Sequence, residues 1–149
     1  MKSFIKSKAL ELISLYGTRD PYELCECLCI EIWERPLNKT KGLFYSSFGF
    51  DYILLKEDLS DEEKKVVIAH EIAHQVLHRH LAAFTEADSP WGFEYRPERE
   101  ANLFVAELLL SDDFIEEHIS FSKEQLAILA GIPQQYVDLK LELMGRERS

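Results

Sequence analysis

Apolar residues recur at helical spacing from residue 3 to 16. That spacing predicts an amphipathic helix ending near Gly17. Asp20-Pro21 has the form of a cap and first turn, and predicts a short second helix over residues 20–28. The pattern then changes period. "CIEIWERPL", residues 29–37, alternates apolar and polar positions and reads as a strand. "KGLFYSSFGFDYILLK", residues 41–56, places aromatic and β-branched residues on both sides of Ser46-Ser47-Phe48-Gly49, a hairpin signal.

Helical spacing returns after Ser60, which forms an S-x-x-E capping box with Glu63 and predicts a helix over 61–79. Val66, Val67, Ile68, Ala69, Ile72, Ala73, Val76 and Leu77 surround most of its axis. A helix apolar nearly all round belongs in the middle of its domain. Residues 81–97 have loop composition, and Pro97 suits the first turn of a helix running to Leu110. Ser111 or Asp112 caps a further short helix, Ser122 caps one through Ala130, and Pro133 opens the last. The predicted order is α-α-β-β-β-α-α-α-α-α. It describes an α+β fold in which a small three-stranded sheet packs on a helical core.

Length and charge narrow the possibilities. The 149 residues suffice for one domain with a single core. Residues 1–57 would form the first helices and the sheet, 58–110 the central helices, and 111–145 the C-terminal helices. The net charge of -10, from 27 acidic and 17 basic side chains, offers no basic stripe for a broad nucleic-acid face. It favours a basic protein partner instead. Charges interrupt the apolar residues of the N-terminal segment, unlike a signal peptide. No apolar run approaches the ~18 residues of a membrane span, so a cytoplasmic location is expected. Cys25, Cys27 and Cys29 stand too close in sequence for ordinary disulfide geometry and read as small packing residues.

The chemistry concentrates in "HEIAHQVLHRH", residues 70–80, which holds four of the five histidines. On a helix, positions i and i+4 lie about 40° apart and about 6 Å along the axis, so His70 and His74 can reach one metal ion. Glu71 falls about 100° round from His70, beside such an ion, where a carboxylate can take a proton from water. His78 lies about 12 Å up the same helix from His70 and cannot share its ion. His80 has the offset of a third ligand in another zinc pattern, but that pattern needs glycine where Leu77 stands.

A better third ligand lies in "PEREANLFVAELLL", residues 97–110. Ala101, Phe104, Val105, Leu108 and Leu109 centre on a helical arc that includes Glu98, while Glu100 and Glu107 fall on the opposite, polar side. An acid on the apolar face asks for a cation. Asn102, one turn further on, is placed to hydrogen-bond the outer nitrogen of a ligand histidine. His70, His74 and Glu98 would leave a fourth position on Zn2+ for water, the arrangement of catalytic zinc.

Together these segments resemble the ImmA/IrrE-type metallopeptidases. "HEIAHQVLH" is similar to the family's His-Glu-Leu-Gly-His helix, and "EREANLFVAELLL" to its Glu-x-x-Ala-Asn helix. The likeness runs over nearly the whole chain and is strongest to the short ImmA-type proteins of phages and conjugative elements. It implies a zincin-like fold, one zinc ion on His70, His74 and Glu98, and Glu71 as catalytic base. It further implies a protein substrate, a helix-turn-helix (Xre-type) repressor whose cleavage releases a mobile element or stress genes, and leaves room for an activator protein. Ala73 replaces the family's usual glycine, Val105 an alanine, and Leu110-Ser111 a Met-Pro pair. Candidates for the oxyanion donor are His78, His80, Tyr95 and Arg96.

Two rival readings stand beside the endopeptidase. One keeps the zinc but acts by binding and displacing a repressor, which would have little need of Glu71. The other takes "SKEQLAILAGIPQQYVDLKLEL" as a helix-turn-helix DNA-binding unit. Its second helix carries Gln134, Gln135 and Lys140 but also Asp138 and Glu142, poor company for phosphates.

Overall fold

The structure is a computed structural model and describes residues 1–78 and 96–146. Helices α1 (Lys2–Tyr16) and α2 (Pro21–Cys27) come first. Gly17, at φ 70°, closes α1 by donating its N–H to the Ile13 carbonyl at 2.7 Å. The Asp20 side chain caps α2 by accepting the Tyr22 N–H.

Strands β1 (Ile30–Arg35), β2 (Gly42–Ser47) and β3 (Phe50–Lys56) form one mixed sheet in the order β1-β3-β2. β1 runs parallel to β3 with Ile30 opposite Asp51, and β2 runs antiparallel to β3 with Gly42 opposite Leu55. Phe48 and Gly49 make the hairpin turn, with φ 51° and 80°. A two-residue turn with both φ positive matches the twist of the strands it joins, so Ser46 and Ser47 stay in β2. Ile30, Ile53 and Leu55 turn one sheet face into the core, while Trp33, Tyr45 and Phe50 leave the other exposed.

Helix α3 (Asp61–Leu77) follows, capped by the Ser60 hydroxyl, which accepts the Glu63 N–H at 3.2 Å. The helical path stops at Leu77; His78 has left it at φ -132°. Helices α4 (Arg96–Leu109), α5 (Asp112–Glu117), α6 (Lys123–Ala130) and α7 (Gln134–Leu143) complete the chain. Ser111 caps α5, and Ser122 and Gln125 form a reciprocal capping box on α6. The α+β architecture expected from the pattern is the one observed. Among the described residues, no helix is long and apolar enough to cross a membrane.

The polar side expected for α4 requires correction. α1, α3 and α7 all pack on α4, and the run from Ala101 to Leu108 is buried throughout. Glu107 is therefore in the core, where it meets the equally buried Lys140 of α7 at 2.7 Å. A carboxylate covered by neighbouring helices needs a cation there. Asp112 accepts from Lys140 at 2.5 Å and from Lys6 of α1 at 3.0 Å, joining α1, α5 and α7 through charge. Lys140 is thus removed from any surface that would meet phosphates. Glu100 is only partly buried and faces the end of α3.

Candidate metal centre

α3 and α4 bring His70, His74 and Glu98 together. One ligand atom from each lies within 4.8 Å of the others, so the three can hold a metal ion. His70 Nε2 is 2.9 Å from Glu98 Oε2, and His74 Nε2 is 2.9 Å from the other oxygen, Oε1. The imidazoles meet edge to face with centroids 4.6 Å apart, as residues one helical turn apart allow. His74 is closed in, its side chain 1% exposed, while His70 at 14% marks the side open to solvent.

The fit to a cation shows in the atoms left over. Both ring nitrogens of His74, Glu98 Oε1 and Glu71 Oε2 are buried without a hydrogen-bond partner among the described residues. His74 Nε2 and Glu98 Oε1 are close, but they do not meet along hydrogen-bonding directions. Buried polar groups left this way cost about 1–3 kcal/mol each. A divalent cation between the two imidazoles and the carboxylate satisfies Nε2 and Oε1 together, and this donor set suits zinc.

The charge balance agrees. Burial opposes the charged form of His70, yet the hydrogen bond to Glu98 and the nearby charges of Glu71 and Glu98 outweigh it and raise its pKa to about 9. Burial likewise opposes ionisation of Glu98, but His70 and His74 outweigh it and hold the carboxyl at about 2. Without metal, this site holds a proton where it needs positive charge.

Glu71, with its side chain 1% exposed, lies beside the ligands and not among them. Its Oε1 is 3.9 Å from His70 Nδ1, beyond hydrogen-bond reach, and its Oε2 stays free of protein partners among the described residues.

Residues 25–141 match the profile of the IrrE N-terminal-like domain, Peptidase_M78. The chain belongs to this family of metallopeptidases. It is 32% identical to Metallopeptidase ImmA of Bacillus subtilis (strain 168) over 145 residues, covering 95% of this chain and 86% of that protein. It is 29% identical over 142 residues to the uncharacterized immunity region protein 2 of Bacillus phage phi105, covering 93% and 89%. As an M78 enzyme it is a metalloendopeptidase, and the α+β frame around α3 and α4 is the zincin-like fold of that family.

Other expected residues of this M78 site take different partners. Asn102 is buried on α4, but its Oδ1 accepts from the Tyr136 hydroxyl at 3.3 Å, and neither nitrogen of His74 is bonded by it. α7 lies against α4 here and offers a donor that sequence spacing could not place. His78 points its Nε2 at Glu100 Oε1, 3.3 Å away, tying the end of α3 to the N-terminal part of α4. Tyr95, His80 and the side chain of Arg96 lie outside the described residues.

Tyr136 was not singled out by the sequence. Burial raises its pKa; a hydrogen bond from Gln135 opposes this, and the charge of Glu98 adds to it. No periodic signal announces such a residue, because its role depends on α7 docking beside α4.

Proposed function

We propose that this metalloendopeptidase uses one zinc ion held by His70, His74 and Glu98 to cleave a helix-turn-helix repressor at a specific bond. When bound, zinc supplies a Lewis acid that polarises a peptide carbonyl and acidifies water. Glu71 is the base. Its unpartnered Oε2 accepts a proton from the attacking water as the oxygen bonds to the carbonyl carbon, then returns it to the amine nitrogen as the C–N bond breaks. Burial on α3 keeps this carboxylate from wandering onto a surface cation.

The substrate's path follows the sheet. β2 is an edge strand, and the Lys56 N–H donates to the Lys41 carbonyl at 2.9 Å. In the antiparallel alternation, the peptide groups of Gly42 and Phe44 then face away from β3, towards the free edge. An extended segment of the repressor can pair there, its register set by backbone bonds. The names of the two relatives, a metallopeptidase and an immunity-region protein, support a protein substrate of this regulatory kind. The repressor's cleavage releases the genes of a mobile element, and the cytoplasm is where enzyme and repressor meet.

The observation that carries the reading is the buried Glu71 beside the cluster of His70, His74 and Glu98. The test is co-expression with the repressor encoded alongside, followed by intact mass measurement. Two fragments that disappear with Glu71→Gln support it; an intact repressor with both proteins favours displacement by binding.

A further inference from the structure

Gly42, the first residue of β2, is buried against α3. Its backbone does not require glycine, since its φ is not among the positive values seen at Gly17, Gly49, Gly131 and Gly145. Space requires it. A Cβ at Gly42 would stand 2.3 Å from Val67 Cγ1, 3.6 Å from the Leu54 carbonyl oxygen and 3.9 Å from Glu71 Cγ. Val67 and Glu71 are one helical turn apart on the same face of α3, so the start of the edge strand rests on both.

Val67 cannot simply rotate away. A β-branched side chain in a helix has one strongly preferred χ1, and Val67 is packed against the core. Leu55, opposite Gly42, is almost fully buried and anchors β3 in that core. An added methyl group must therefore push the start of β2 outwards or shift the turn of α3 between Val67 and Glu71. His70 and His74 reach towards Glu98 of α4.

We infer that Gly42 is a positioning residue: its missing side chain lets the edge strand seat against Val67 and Glu71, fixing the carboxylate of Glu71 relative to the metal ligands. This rests on the reading of Glu71 as the base. Gly42 itself touches no reacting atom; it acts through Glu71.

The test compares wild type, Gly42→Ala, Val67→Ala, the double variant and Glu71→Gln, each loaded with cobalt(II) and measured for visible absorption at one pH. All should bind one cobalt per chain. The Gly42→Ala spectrum should move from the wild-type shape towards that of Glu71→Gln, and the double variant should return to that of Val67→Ala. On the repressor, Gly42→Ala should lower kcat about tenfold or more while KM moves less than about threefold, because small misplacements at a reacting centre are costly. Removing Cγ1 of Val67 should cancel most of that loss, as coupled neighbours do in a double-mutant cycle. Unchanged Gly42→Ala spectra and kcat overturn the inference, as does a loss that Val67→Ala fails to relieve. A wild type whose cobalt spectrum equals that of Glu71→Gln removes the base itself, a separate and recognisable failure.

Discussion

Replacing Lys140 by methionine would remove the cation that faces Glu107 between α7 and α4. The two side chains are 0% and 1% exposed and meet at 2.7 Å. Glu107 Oε2 has no hydrogen-bond partner among the described residues, and Lys6 is 4.0 Å away, so Lys140 is the principal partner of this carboxylate. Breaking a buried pair from one side costs about 3–5 kcal/mol, and the remote Lys6 places this case near about 3. For a chain of this size, each kcal/mol moves Tm by about 2–4 °C, giving a fall of roughly 6–12 °C. Asp112 softens nothing, because its own partly exposed carboxylate is solvated when Lys140 is lost. Circular dichroism on the metal-free protein at neutral pH reads the change. Replacing Glu107 and Lys140 together by methionine should recover most of the loss, since no buried charge is then stranded. A single variant within about 1 kcal/mol of wild type, or a double variant as unstable as the single, would refute the assignment of this pair.

Metal uptake should release a proton. His70 titrates at about 9 in the metal-free site, so it is protonated at pH 7, and only its neutral form can bind a metal. Affinity should rise roughly tenfold per pH unit below about 9 and flatten above it, while Glu98 stays ionised throughout. Calorimetry in buffers of different ionisation enthalpy should count about one proton released at pH 7, and none would contradict the charge balance described. Glu71→Gln should retain the metal yet lose about 10²–10⁴-fold in kcat on the repressor, read by fragment formation over time; retained activity would exclude Glu71 as the base.

Much of the fold was legible because its signals are local. Ser60, Ser111 and Ser122 each cap the helix their position announces, and Gly17 ends α1 where the apolar stripe stops. The hairpin turn was visible for a similar reason, although its two positive-φ residues are Phe48 and Gly49 alone. The order β1-β3-β2 was not legible, since residues 36–41 must carry the chain past the end of β3, a strand that comes later in the sequence.

The cluster of His70, His74 and Glu98 was readable from helical geometry, two ligands lying on one turn and the third on an apolar face. Its surroundings were not. Periodicity treats the side of α4 opposite the apolar stripe as wet, and it failed at Glu107 because a third helix, α7, covers that side. Asn102 was placed one turn from Glu98 as a partner for a ligand histidine, but the Tyr136 hydroxyl that it accepts from comes from 34 residues away. Gly42 carried no turn signal at all; only the approach of β2 to Val67 reveals why a side chain cannot stand there.

The most direct measurement is native mass spectrometry of the purified chain after loading with zinc. One zinc per chain is expected in wild type and in Glu71→Gln, with the ion lost from His74→Ala and Glu98→Ala while circular dichroism reports an intact fold. A wild type that binds no zinc, or a His74→Ala variant that binds it as tightly, would contradict the His70–His74–Glu98 centre.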